Sequence, residues 1–213
     1  MNVTTMGPDI ARSALIIVDM QNDFVHAEGN FGYRARENPH LEIDMPFLAS
    51  TIPMVKRLAG AFRDSGRPVI YLAHVMKPDY SDAQWPYWRR APVSGNRTFI
   101  VEDTWGVQIV DELTPRADEH LVVKKGYGGF SNTLLDTILR TMGVTTCVVA
   151  GVTTGVCVST TVRGGVEHTY RMILAEDAVA EGNRALHDAE IKILGRAFAD
   201  VKTTGEVIAM LPR

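Results

Sequence analysis

Thr146-Cys147-Val148-Val149-Ala150-Gly151-Val152-Thr153-Thr154-Gly155-Val156-Cys157 is the stretch on which the fold turns. Its apolar, β-branched first half reads as a buried strand over 146–151. Its Thr- and Gly-rich exit opens a helix over 156–167, with Cys157 in the first turn. The same unit repeats in both directions. Upstream lie a strand over 120–124 and a helix over 132–142 that Gly143 ends. Downstream come a strand over 172–175, a helix over 183–198, a strand over 200–203 and a last helical turn or two. Toward the N-terminus, Ala14-Leu15-Ile16-Ile17-Val18-Asp19 is a strand, 47–64 a helix and 68–73 a strand. Pro46 and Pro53 leave the start of that helix open, because proline fits the first turn of a helix and not its interior. Strand–helix alternation with continuous apolar strands predicts a parallel sheet covered on both faces, a three-layer α/β/α domain spanning 1–213.

The stretch 75–105 breaks the pattern. It holds Trp85, Tyr87, Trp88, Arg89 and Arg90 among Pro78, Pro86 and Pro92, and no period survives. A loop this long in a compact domain is commonly functional, and it is expected to shape a substrate site or a subunit contact.

Composition narrows the class. The chain has 213 residues, 46% hydrophobic and 22% charged, which is ordinary for a globular protein. Lys+Arg 22 against Asp+Glu 25 gives a net charge of −3, so neither nucleic acid nor an anionic membrane is expected as a partner. No apolar run reaches the roughly 20 residues of a membrane helix. The first eight residues lack the basic start and apolar run of a signal peptide, and two cysteines cannot build a secreted disulfide framework. A cytoplasmic location is expected.

In an open parallel sheet the ligand crevice lies beyond the carboxyl ends of the strands. Asp19 closes the first strand, Lys124-Lys125 the third, and the fourth runs out toward Cys157. An acid, a cation and a thiol therefore gather at one edge. Each alone has a plain structural role: a turn aspartate, a solvated lysine, a small buried thiol. Position favours more for Cys157, since a thiol at a helix start near an ammonium is pushed toward thiolate. Cys147, inside an apolar strand, reads as core. Other chemistries fit poorly. Met20-Gln21-Asn22-Asp23 is not a dinucleotide fingerprint. Gly126-Tyr127-Gly128-Gly129 lacks the phosphate-binding lysine arrangement. His74 stands isolated at a strand end, and His26, His40, His120, His168 and His187 show no ligand spacing.

Three segments together resemble the isochorismatase-like cysteine hydrolases, in family order and over almost the whole chain. They are Ala14-Leu15-Ile16-Ile17-Val18-Asp19-Met20-Gln21-Asn22-Asp23-Phe24, Val123-Lys124-Lys125-Gly126-Tyr127-Gly128-Gly129-Phe130-Ser131-Asn132-Thr133, and Ala150-Gly151-Val152-Thr153-Thr154-Gly155-Val156-Cys157-Val158-Ser159-Thr160-Thr161. The resemblance implies a six-stranded parallel sheet between helices. It implies Cys157 as nucleophile, Asp19 as general base and acid, and Lys124 as the stabilising cation. It further implies a cis peptide bond at Val152-Thr153, with the N–H groups of Thr153 and Cys157 forming an oxyanion hole. It implies a homo-oligomer, a dimer or tetramer.

Within the family, the spaced histidines of nicotinamidases are missing after the second strand, in Leu72-Ala73-His74-Val75-Met76-Lys77-Pro78-Asp79. No metal and no cofactor are therefore expected. A cysteine in place favours amide cleavage over vinyl-ether cleavage. The motif wording resembles the branch acting on ureidoacrylate, biuret and N-carbamoylsarcosine. A cysteine amidohydrolase for a small linear amide or ureido compound is the expected function. A nicotinamidase-like hydrolase of an aromatic amide, or a catalytically idle binding or assembly subunit, are the alternatives. Phe24, Trp85, Trp88, Arg89, Arg90, Tyr127 and Phe130 are the expected substrate contacts, the arginines to meet a carboxylate.

Overall fold

The computed structural model describes residues 8–83 and 98–212. At its centre, β1 (Ser13–Val18) pairs in parallel with β2 (Val69–His74) on one side and β4 (Thr146–Val152) on the other. Then β3 (His120–Lys124), β5 (Arg171–Ala180) and β6 (Asp200–Lys202) extend the sheet to six parallel strands in the order β3-β2-β1-β4-β5-β6.

Alternation along each strand divides the core in two. Leu15 and Ile17 of β1 point to one face, with Tyr71, Val148 and Ala150. There α3 (Met45–Asp64) covers them through Leu48, Val55, Leu58 and Phe62, and α7 (Thr204–Met210) adds Val207. Ala14, Ile16 and Val18 point to the other face, with Ile70, Leu72, Cys147 and Val149. That side is closed by α4 (Leu135–Thr141), α5 (Ser159–Glu167) and α6 (Arg184–Ala197). The expected three-layer architecture is present. Among the described residues, no helix is long and apolar enough to cross a membrane.

Several boundaries differ from the sequence reading. α3 starts earlier, at Met45, with Asp44 as cap, and it runs through Pro53. β5 has ten residues and continues past Glu176-Asp177, whose charges hide its second half. Two short helices, α1 (Asn22–Val25) and α2 (Asn30–Glu37), fill a region left unread. Elements with local stop and start signals came out closest. Asn183 caps α6, and Thr203 with Glu206 forms a capping box on α7.

At the start of β3, Glu119 takes a two-pronged ion pair from Arg63 of α3, at 2.7 and 2.8 Å. Burial raises the Glu119 carboxyl, but Arg63 outweighs it and holds it below its ordinary value. The pair's stabilisation is therefore full above the ordinary glutamate pKa and is lost as pH falls through the depressed one. Glu119→Gln is expected to lower neutral-pH stability by about 1–3 kcal/mol. The gap to wild type should close on acidification, as read by denaturant midpoints across pH.

Candidate active site

Three strand ends deliver three chemical groups to one spot. Asp19 follows β1 in a left-handed conformation (φ +49°), which aspartate tolerates better than most residues and which turns the chain out of the sheet. Lys124 is the last residue of β3 and lies in register with His74 of β2. Cys157 sits in a single π-helical turn, Thr154–Val158, between β4 and α5. Such turns within helices concentrate at functional sites.

The Lys124 ammonium lies 2.8 Å from Asp19 Oδ2 and 3.6 Å from Cys157 Sγ, and donates to the Gly126 carbonyl at 3.0 Å. All three side chains are buried. Burial pushes the Asp19 carboxyl above its ordinary value, and Lys124 offsets only part of that. Burial also works against the Lys124 charge, but Asp19 and Cys157 outweigh it and keep the amine protonated. The Cys157 thiol is pushed up by burial, with Lys124 pulling the other way. Burial thus works against the push toward thiolate expected of a thiol near an ammonium, and the sulfur lies beside both Lys124 and Asp19.

The peptide bond between Val152 and Thr153 is cis, as the resemblance implied. Just before it, Gly151 has φ +116°, and a side chain there would lie 2.1 Å from the Val18 carbonyl oxygen. Only glycine lets β4 pass β1 this closely.

Much of the site's support was not read from sequence. In the Asp19–Asp23 segment, Gln21 grips the His74 backbone by two hydrogen bonds, accepting from its N–H at 2.9 Å and donating to its carbonyl at 3.0 Å. Asn22 donates to the Trp105 carbonyl at 2.9 Å. The Asp23 carboxylate accepts from the N–H groups of Asn30 and Ile100, at 3.1 and 2.6 Å. One acid from this motif enters the site, and Gln21, Asn22 and Asp23 fasten loops around it. On the other side, Thr161 accepts from the Gly129 N–H and donates to the Cys157 carbonyl, linking the glycine-rich loop to the thiol's turn. Glu181 accepts from the Gly155 N–H, and His187 bonds Thr154. Asp23→Ala removes two buried, charge-assisted bonds and is expected to lower stability by about 3 kcal/mol, measured by chemical denaturation.

The expected substrate contacts separate. Phe24 is packed edge-on against Phe31 and Phe99, with centroids 5.1 and 5.2 Å away. Tyr127 is half-buried, its ring edge-on to His74 at 6.4 Å. Phe130 departs from expectation. It stacks on His168 at 4.9 Å and lies against Gly164 and Gly165, about two turns down α5 from Cys157. That is a packing position, fixed by the glycine face of α5. Trp85, Trp88, Arg89 and Arg90 lie outside the described residues.

Asp19, His74 and Cys157 also bring a carboxylate oxygen, an imidazole nitrogen and a thiol sulfur within 4.8 Å of one another, a spacing that suits a metal ion. The Lys124 ammonium sits in the same cluster, against both Asp19 and Cys157. A second cation there would meet direct charge repulsion, so the donor set does not fit a metal.

Comparisons with known proteins agree with this fold. A ureidoacrylate amidohydrolase RutB from Methylorubrum extorquens is 31% identical over 219 residues, spanning 95% of this chain and 84% of the relative. The crystal structure of a cysteine hydrolase from Pseudomonas syringae pv. phaseolicola superposes with a TM-score of 0.80 at 29% identity, covering 96% of this chain and 94% of that one. An N-carbamoylsarcosine amidase from Thermoplasma acidophilum gives a TM-score of 0.71 at 28% identity, covering 91% and 96%. Residues 13–206 match the isochorismatase domain, so the segment from β1 to α7 that carries the sheet and the buried acid, cation and thiol makes this chain a member of the isochorismatase family.

Proposed function

We propose that this protein is a cysteine amidohydrolase that cleaves the C–N bond of a small linear amide or ureido compound through a thioester. The observation that carries the reading is the buried Lys124 ammonium within reach of both a buried carboxylate and a buried thiol. Such a cluster stabilises little by itself, because desolvating the charges offsets much of their attraction. Its arrangement suits proton transfer.

The steps follow from the groups. Asp19 takes the Cys157 proton while Lys124 stabilises the sulfur anion. The sulfur attacks the carbonyl carbon. The Thr153 and Cys157 N–H groups hold the oxyanion, each donor worth about 3 kcal/mol. Asp19 returns the proton to the nitrogen, the C–N bond breaks, and ammonia or an amine leaves. Asp19 then takes a proton from water, the hydroxide opens the thioester, and the proton returns to sulfur with release of the acid.

The names of two relatives, ureidoacrylate amidohydrolase and N-carbamoylsarcosine amidase, support a ureido group as the reacting end. The aromatic-amide alternative draws less support from the described rings, since Phe24 and Phe130 are taken up by packing. An ammonia-release screen over ureidoacrylate, N-carbamoyl amino acids, biuret and nicotinamide, with Cys157→Ala as blank, tests the proposal. Preferred turnover of nicotinamide overturns the ureido assignment, and turnover equal to the blank on every compound overturns the enzyme. A chelator is expected to leave the rate unchanged. Activity lost to chelation and restored by zinc, iron or manganese defeats the metal-free mechanism.

A further inference from the structure

His74 is a buried polar residue that the proposed steps do not use. It shares its sheet face with Ile70 and Leu72, where packing alone calls for an apolar side chain. It stands in register with Lys124, and a ring nitrogen lies within 4.8 Å of both the Asp19 carboxylate and Cys157 Sγ. Its backbone is fixed by Gln21 at both N–H and carbonyl.

The neighbours define what the ring can do. An ammonium has three N–H donors, and Lys124 directs them to Asp19, the Gly126 carbonyl and the sulfur. Lys124 has none left for substrate, and it cannot accept. Asp19 is committed to the moving proton. Burial and the adjacent Lys124 hold the imidazole neutral, so one ring nitrogen carries a hydrogen and the other does not. A neutral imidazole that donates through one nitrogen presents the other as an acceptor.

A carbonyl carbon must come within about 3–3.5 Å of the sulfur to be attacked. A nitrogen on that carbon then falls among the groups that surround Sγ. We infer that His74 is a substrate-contacting residue, whose acceptor nitrogen receives an N–H of the amide or carbamoyl group that Cys157 attacks. The inference rests on the amidohydrolase reading and adds a specificity rule to it. The site selects nitrogens that carry hydrogen and discriminates against N,N-disubstituted amides. It also orients the nitrogen before Asp19 delivers its proton.

The test uses two thiol-carbamoylating reagents on the intact protein, 4-nitrophenyl N-methylcarbamate and 4-nitrophenyl N,N-dimethylcarbamate. In both the sulfur attacks the carbonyl carbon and 4-nitrophenolate leaves, and only the first carries N–H on that carbon. The ratio of their carbamoylation rates at Cys157 cancels any change in thiol ionisation, which a merely structural role for His74 would alter. Wild type is expected to favour the N-methylcarbamate, after correction for the ratio with a free small thiol. His74→Phe should cut that preference roughly 5- to 10-fold, the value of one hydrogen bond. His74→Gln, which retains an acceptor, should restore most of it. Should His74→Phe fail to fold, His74→Met reads the same loss. An unchanged ratio in the variant lacking an acceptor, or no preference in wild type, overturns the inference. Absence of ammonia release by wild type with the ratio intact overturns the amidohydrolase reading alone.

Discussion

Cys157→Ala is expected to fold normally and to lose turnover by roughly 10,000-fold or more, the scale seen when a covalent nucleophile is removed. Cys147→Ala is expected to stay active. The two thiols make a matched pair. Both are buried, both are unbridged, and burial pushes both up. Exposure does not distinguish them, but their surroundings do. Cys147 pairs with Ala14 in the sheet and faces the apolar core. Cys157 has an ammonium 3.6 Å from its sulfur and a carboxylate beside it. Steady-state rates and thermal melts of the two variants give the answer. Near-normal turnover by Cys157→Ala would falsify covalent catalysis by this thiol.

Lys124→Met should show the second large effect, in two measurements at once. Turnover should fall nearly as far as in the cysteine variant, and adding Asp19→Asn should cost little more, because groups acting as a unit are not additive. Independent, additive losses refute the coupled arrangement. Stability should also fall, by about 3–5 kcal/mol at neutral pH, since the Asp19 carboxylate is left buried without its cation. Burial already raises that carboxyl. A folded-state pKa above the unfolded value means the variant gains stability as pH falls toward the ordinary aspartate range of about 4 and loses it as pH rises. The Lys124→Met deficit should therefore shrink in acid, and Asp19→Asn in the same chain should remove its pH dependence. Asparagine tolerates the left-handed backbone at position 19, so this probe leaves the turn intact.

The acid, the cation and the thiol were legible because an apolar strand must stop where it meets a polar residue. Parallel topology then aligns the stops at one edge. What could not be read depends on distant partners. Gln21 reaches His74 and Val107, 53 and 86 residues away, and Asp23 reaches Ile100 across 77. No local pattern encodes such pairings. His74 looked isolated for the same reason, since its neighbours Asp19 and Lys124 come from other strands. The burial of Cys157, which works against ionisation of its thiol, depends on the same distant packing. The packing of Phe130 is hidden for a further reason: an aromatic in a loop motif looks the same whether it faces a ligand or a glycine surface two turns further along a helix.

The central place of β1 has a consequence for biosynthesis. Its partners on both flanks, β2 and β4, come later in the chain, and the thiol follows about 140 residues after Asp19. At ribosomal speeds of roughly 5–20 residues per second, the carboxylate leaves the exit tunnel about 7–28 seconds before the sulfur that completes its site. During that interval Leu15, Ile16 and Ile17, each fully enclosed in the finished protein, have no complete sheet to enter. The nascent chain carries this apolar strand without its full sheet until β4 is made, and that window is where a holding chaperone acts and where aggregation competes with folding.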